Sequence, residues 1–290
     1  MSASVQPVSF RKLGLAGSAF SQLRHIWPHD RFLWPGAEAL ARLTGLRAGR
    51  APWQTAEGFR MELDPRHYPD GAMLYGTYEI ATVRAVRQIL RPGDVVVDIG
   101  ANIGYFSIRF SQLVGPGGSV FSFEPVPTTR ARLLRNIAEN GCGNVTVCPV
   151  ALMDRAASVT IFETESHGVA GLRELSENTT AHPVEGVRLD DYLSPPKPVR
   201  LIKIDVEGAE RLVLQGGEGL IARDRPHIVL EKDAPALKAF GYGFSEVAAQ
   251  ILRHGGYRMS AVDRGTDLTT ASPAEIDAAR DGNYLFAPIG

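Results

Sequence analysis

Between residues 95 and 107 the chain runs Val-Val-Val-Asp-Ile-Gly-Ala-Asn-Ile-Gly-Tyr-Phe-Ser. A β-branched run ends in an acid, Asp98. Gly100 and Gly104 then bracket Asn102, and an apolar-periodic segment restarts at once. The order reads as strand, tight loop and helix, a layout that turns backbone N–H groups and a helix N-terminus towards a bound cofactor. The spacing Asp-x-Gly-x-Asn-x-Gly is not the Gly-x-Gly-x-x-Gly of a dinucleotide fingerprint. A pyrophosphate asks for close backbone approach and a positive helix end. A methionine moiety carrying an ammonium and a sulfonium instead favours a nearby carboxylate, which Asp98 supplies. The loop is therefore closer to one that holds S-adenosylmethionine.

Three more acids follow strand-like runs: Glu124, Asp205 and Glu231. Ligands of open α/β sheets bind at the carboxyl ends of strands, so these four acids predict a carboxylate-lined cleft. Each taken singly also fits an ordinary helix N-cap. Glu124 lies 24 residues beyond Gly100, a position suited to accept both hydroxyls of an adenosine ribose. That need is common to NAD and S-adenosylmethionine, and the glycine loop decides between them. Proton acceptors for a transfer reaction are Asp205, Glu207, Glu231, Glu79 and His167. His167 titrates in the right range but reads equally as an isolated surface histidine. Asp205 and Glu207 share a divalent ion only if the chain is extended there; otherwise the run Glu207-Gly208-Ala209-Glu210 begins a helix whose dipole favours its acids. No metal site is assigned.

The elements that must carry these residues alternate. Strands are expected at Val95–Asp98, Ser119–Phe123, Val145–Val150, Leu201–Ile204 and Ile228–Leu230, with helices from Ile103 to Leu113 and from Thr128 to Asn140. This rhythm argues for a parallel sheet covered on both faces. A strand over Phe59–Leu63 and a helix with Ile80, Val83, Val86 and Leu90 on one face precede it. Segment 155–195 breaks the pattern with a strand at Ser158–Phe162 and a polar loop through His167. A helix over Phe244–Leu252 and two closing strands, near Tyr257–Val262 and Tyr284–Ala287, end the chain. Residues 1–57 read as an N-terminal extension, partly irregular, with one helix at Gly36–Leu46. Residues 58–290 form the main domain.

The 290 residues are 44% hydrophobic with a formal net charge of −1, enough for one large core and without a general pull towards nucleic acid. Residues 1–60 hold eight Lys/Arg against three Asp/Glu, a mild basic bias that suits a solvated face. Two cysteines and seven histidines that do not cluster indicate no zinc site. The N-terminus lacks an apolar signal region and no stretch is long enough to span a bilayer. The expected location is cytoplasmic.

Taken together, Val95–Tyr105, Phe123-Glu124-Pro125, Val187–Tyr192 and Lys203-Ile204-Asp205-Val206-Glu207-Gly208-Ala209-Glu210 resemble the FkbM family of S-adenosylmethionine-dependent methyltransferases. Tyr75–Glu79 and Arg225–Glu231 fit as well, and the resemblance covers roughly residues 58–290. It implies a class I methyltransferase fold, Rossmann-like, with a mostly parallel seven-stranded sheet, an antiparallel last strand and helices on both faces. It also implies O-methylation of a sugar, glycolipid or secondary metabolite. By the resemblance, Asp98, Gly100, Asn102 and Gly104 contact the methionine end of the cofactor and Glu124 the ribose. Ala151 and Leu152 lie near adenine, and Asp205 lies by the methyl group. Asp205, Glu207 and His167 are the candidate catalytic residues. The alternatives are an NAD-dependent oxidoreductase, which lacks its glycine spacing here, and a non-catalytic adenosine-cofactor binder. The acceptor is a small molecule or glycan rather than a nucleic acid, since no Asn-Pro-Pro-Tyr-like motif for base flipping is present.

Overall fold

The computed structural model describes residues 8–9, 49–164, 170–173 and 179–289. His167 and the helix expected at Gly36–Leu46 lie outside the described residues. A small sheet comes first: β1 (Val8–Ser9) beside β2 (Ala51–Gln54), which pairs antiparallel with β3 (Arg60–Leu63). The β2–β3 hairpin spans the boundary placed at residue 57. Two helices follow, α1 (Asp70–Tyr75) and α2 (Ile80–Ile89).

The main sheet then opens with β4 (Val95–Ile99), in which every residue is buried. Burial on both faces explains the apolar run Val95–Val97 that precedes the buried Asp98, as parallel-sheet interiors require. Next come α3 (Tyr105–Val114), β5 (Ser119–Phe123), α4 (Pro127–Glu139) and β6 (Val145–Cys148). After an excursion described below, the sheet resumes with β11 (Val199–Ile204). It continues through α6 (Glu210–Gly216), α7 (Glu218–Asp224), β12 (His227–Lys232), α8 (Ala234–Ala239), α9 (Phe244–Leu252), β13 (Tyr257–Ala261), α10 (Pro273–Ala278) and β14 (Gly282–Pro288). Its seven strands run in the order β13-β14-β12-β11-β4-β5-β6. All pairings are parallel except those of β14, which runs antiparallel to both β12 and β13. The fold is thus the class I methyltransferase arrangement expected, with the closing strands as a hairpin.

The chain leaves β4 in one direction and returns on its other side at β11. That reversal is the switch point at which the crevice of an open α/β sheet lies. Alternate residues of β4 feed different cores. Val95, Val97 and Ile99 pack with Val213, Leu237 and Val247, whereas Val96 packs with Val86, Phe106 and Leu133. Asp98 shares the face of Val96 by the two-residue period of a strand.

The excursion is a second sheet of four strands, β7 (Ala151–Leu152), β8 (Ala157–Thr164), β9 (Ala170–Gly171) and β10 (Thr179–Val187), in the order β7-β10-β8-β9, followed by α5 (Leu189–Tyr192). The strand expected over Val145–Val150 therefore ends at Cys148, and the chain changes sheet at once, with Ala151–Leu152 pairing against Gly186–Val187. Strand β10 escapes a reading of the residues because it contains Pro183 and Gly186, both unfavourable in strand interiors. Both cysteines are buried. Among the described residues no helix is long and apolar enough to cross a membrane.

Candidate functional site

The loop after β4 is built around two close approaches. Gly100 has φ +78, and a Cβ there would lie 1.8 Å from the carbonyl oxygen of Asp205. Only glycine lets the β4 and β11 ends approach so closely. Gly104 has φ +93, and its absent Cβ would meet Leu133 of α4 at 2.6 Å. Asn102 between them is also left-handed, at φ +49. The amides of Gly100 and Ala101 donate to the Phe123 carbonyl, and the Asp205 amide donates to that of Ile99. The ends of β4, β5 and β11 are thereby tied into one rim.

A cavity of about 930 Å³ opens at that rim, within the size range of small-molecule sites. One part of its wall consists of Gly100, Asn102, Glu124, Ala151 and Leu152. The other consists of Tyr78, Glu79, Asp205, Glu207, Glu231 and Asn283, with Ala170–Leu172 of the second sheet alongside. The described residues expected at the site are thus brought together, with two exceptions. Asp98 and Gly104 stand behind the wall. Asp98 is only 1% exposed, and its Oδ2 accepts a 2.6 Å hydrogen bond from Ser107 of α3, whose Oγ in turn accepts one from Ser122. Its side chain follows the strand period into the α3 face, so it can act on the cavity only through its neighbours.

None of the four strand-end acids caps a helix; the N-caps are Gly104, Val126, Ala209 and Asp233. The carboxylate of Glu124 accepts the Asn102 amide at 3.0 Å and the Val126 amide at 2.9 Å, one on each oxygen. A carboxylate oxygen has two lone pairs, so each keeps one acceptor position. Burial pushes the Glu124 carboxyl up to about 7, against the pull of those two amides.

The second lobe is a cluster of acids around one lysine. The Lys203 ammonium lies 2.8 Å from Asp205 Oδ2 and 4.8 Å above the Phe106 ring. Burial opposes the charge on Asp205, but Lys203 and a hydrogen bond from Glu231 outweigh it and hold the carboxyl below its usual range. Glu231 goes the other way: the Asp205 charge, then burial, then Glu79 raise it well above the carboxylate range. The two shifts have one source: Lys203 lies against Asp205, which favours its ionised form and makes Glu231 the harder of the two to ionise. Glu79 is held by Asn283, whose Nδ2 donates to Oε2 at 2.9 Å.

Glu207 has a left-handed backbone (φ +52), so Asp205 to Glu207 is not extended and the two acids are not arranged as a shared ligand pair. The helix that follows begins at Glu210. Among the described residues no three His, Cys, Asp or Glu side chains form a group that could hold a metal ion. Burial, then the charges of Asp205, Asp233 and Glu210, push the Glu207 carboxyl up to about 8. Lys203, at the centre of this acidic cluster, is a residue to which the sequence motifs gave no role. A single charged residue within the apolar strand run Leu201-Ile202-Lys203-Ile204 was the available signal.

A family model described as Methyltransferase FkbM domain matches residues 98–259. The 31-O-demethyl-FK506 methyltransferase FkbM of Streptomyces tacrolimicus is 34% identical over 160 residues, 44% of this chain and 61% of that protein. Methyltransferase 1 of Beauveria bassiana is 28% identical over 146 residues, 42% of this chain and 57% of that protein. The matched segment thus spans about three fifths of the length of these relatives. Among solved structures, the Methyltransferase FkbM of Methylobacillus flagellatus KT is 17% identical with a TM-score of 0.44, over 73% of this chain and 51% of that one.

Proposed function

This chain belongs to the methyltransferase FkbM domain family, and from that premise we propose that it transfers a methyl group from S-adenosylmethionine to a hydroxyl of a sugar, glycolipid or secondary metabolite. The observation that carries the reading is Glu124, buried at the end of β5 with a spare acceptor position on each oxygen, beside the Gly100–Asn102 turn in one cavity wall.

The residues present fit such a donor. Gly100 keeps a cradle that a Cβ would fill, Glu124 suits a ribose diol, and Ala151 and Leu152 offer apolar surface to a base. Asp205, held by Lys203, supplies a negative charge in the same cavity wall. When bound, the donor supplies a methyl group on a positively charged sulfur. The chain's own part is to align the acceptor with that carbon and exclude water, and orientation of this kind accounts for much of the rate of a displacement reaction.

A hydroxyl must also lose its proton. Lys203 holds the Asp205 carboxyl low and the Asp205 charge raises that of Glu231, so the pair is a poor base. Glu207 is the better one. Its carboxyl is basic enough to accept a proton near neutrality, and a positive charge in the cavity lowers it. With a positively charged donor bound, Glu207 would be the carboxylate placed to take the hydroxyl proton at a carboxylate oxygen. His167 stays a second candidate for that role.

The test is calorimetric. S-adenosylhomocysteine should bind the wild type and not be displaced by NAD. In Glu124→Gln, one ribose-facing acceptor oxygen becomes an NH₂ that cannot accept from a hydroxyl, and loss of that charged hydrogen bond costs about 2 kcal/mol, or about 30-fold in affinity. Undiminished affinity in that variant, or binding of NAD alone, refutes the reading. Transfer of labelled methyl to a glycan or metabolite extract then separates an enzyme from a mere binder.

A further inference from the structure

Lys203 has no place in the chemistry so far except through its neighbours, yet its position is costly. It is 2% exposed, in the middle of the central strands β4, β11 and β12, where it pairs with Asp98 on one side and Val229 on the other. A buried ammonium survives only when it is paired. Its ammonium meets Asp205 at 2.8 Å and caps the Phe106 ring. Charged groups face this cluster from every neighbouring element: Asp98 from β4, Glu231 from β12, and Glu79 from the turn before α2, beside the Tyr78 hydroxyl. Burial disfavours the lysine's charge, but Asp205, Glu79 and Asp98 together hold it on.

We propose that Lys203 is a positioning residue for methyl transfer: its buried ammonium, 2.8 Å from Asp205 Oδ2, pins the Asp205 carboxylate in the cavity wall that it shares with Glu79, Glu207 and Glu231. The proposal rests on the methyltransferase reading for its function, but its physical content belongs to the free protein. Two carboxyls in hydrogen-bond contact compete for a proton, and symmetry alone would let either ionise first. The asymmetry comes from Lys203, which touches Asp205. Its consequence is a negative charge of fixed place and orientation, present throughout the neutral range. A leucine or methionine would fill the same space in the Phe106 face without that effect, so packing alone does not account for a lysine here.

The experiment is carboxyl ¹³C NMR titration of the full-length protein labelled at Asp and Glu, with Asp205→Asn and Glu231→Gln to assign the two signals. In the wild type, the Asp205 signal should titrate below the ordinary carboxylate range and that of Glu231 above it. In Lys203→Gln the Asp205 midpoint should rise, and Lys203→Arg should restore the wild-type behaviour. S-adenosylmethionine affinity in Lys203→Gln should fall about tenfold for each pH unit below the new Asp205 midpoint, a slope absent in the wild type. A purely structural lysine would lower the unfolding midpoint and leave the carboxyl titrations where they are. That result overturns the proposal, as does a wild-type titration in which Glu231 ionises at lower pH than Asp205, which needs no Lys203 variant to fold. If the titrations behave as stated but neither S-adenosylmethionine nor S-adenosylhomocysteine binds the wild type, the methyltransferase reading falls and the role of Lys203 in transfer falls with it.

Discussion

Replacing Gly100 by alanine isolates the close approach on which the cavity rim depends. The new Cβ would sit 1.8 Å from the Asp205 carbonyl oxygen and 2.9 Å from its carbonyl carbon, both backbone atoms that no side-chain rotation can clear. The loop or the β11 end must therefore move, and the Asp205 N–H to Ile99 bond, 3.0 Å long, goes with it. Three costs add: about 1 kcal/mol for a left-handed alanine, about 1 kcal/mol for the hydrogen bond and about 1–3 kcal/mol for overpacking. The sum of about 3–5 kcal/mol is a large share of the ~5–15 kcal/mol that stabilises a typical domain. Gly241→Ala is the control, because Gly241 has a similar φ of +84 but nothing within 4 Å of its would-be Cβ. Urea denaturation of the two variants should show Gly241→Ala losing about 1 kcal/mol and Gly100→Ala at least 2 kcal/mol more. S-adenosylhomocysteine affinity should drop only in Gly100→Ala. Equal destabilisation of the two variants would refute the argument, since it would leave no contribution from the β4–β11 approach.

Glu207 gives a proton-counting prediction. With its carboxyl near 8 in the free protein, donor binding at about pH 7.5 should release protons, seen as a dependence of the calorimetric enthalpy on buffer ionisation. Glu207→Gln should abolish most of that release and reduce turnover far more than affinity; retention of full proton release would remove Glu207 as the base. Asp98 makes a pH-stability prediction with the opposite sign from an ion-paired acid. Burial raises its carboxyl from 3.8 to about 6, beyond what Lys203 and Ser107 offset. The folded state therefore binds the proton more tightly, and stability falls as pH rises from about 4 to about 6, then levels. Asp98→Asn should gain about 3 kcal/mol relative to the wild type between about pH 4 and pH 8. A difference that stays constant across that range would show that Asp98 is not desolvated as described.

Much of the site was readable because its signals are local. The β-branched run of β4, the glycines after it and the acid one strand later each depend on a few adjacent residues, and their strand and loop roles follow from steric rules. The helix Phe244–Leu252 and the strand Ser119–Phe123 were legible to the residue because their apolar periods are uninterrupted. The second sheet was not, since β10 carries Pro183 and Gly186 and takes its strand form from eight partners in β8. The short helices α6 and α7 run almost end to end across Gly216 and Gly217, which hides their periods.

Sequence alone indicated most of the residues that gather at the carboxyl edge of the sheet, because each acid follows a strand-like run readable from adjacent residues. Which way those acids face depended on tertiary packing. Asp98 turns behind the wall because β4 alternates and α3 covers that face. Glu207 is kinked off the strand by a left-handed turn, and the Glu231 carboxyl is raised because the charge of Asp205, held by Lys203, faces it. Gly100 is glycine because of a carbonyl oxygen more than a hundred residues away in the chain. Charge state and close approach are properties of neighbours in space, and no spacing along the chain encodes them.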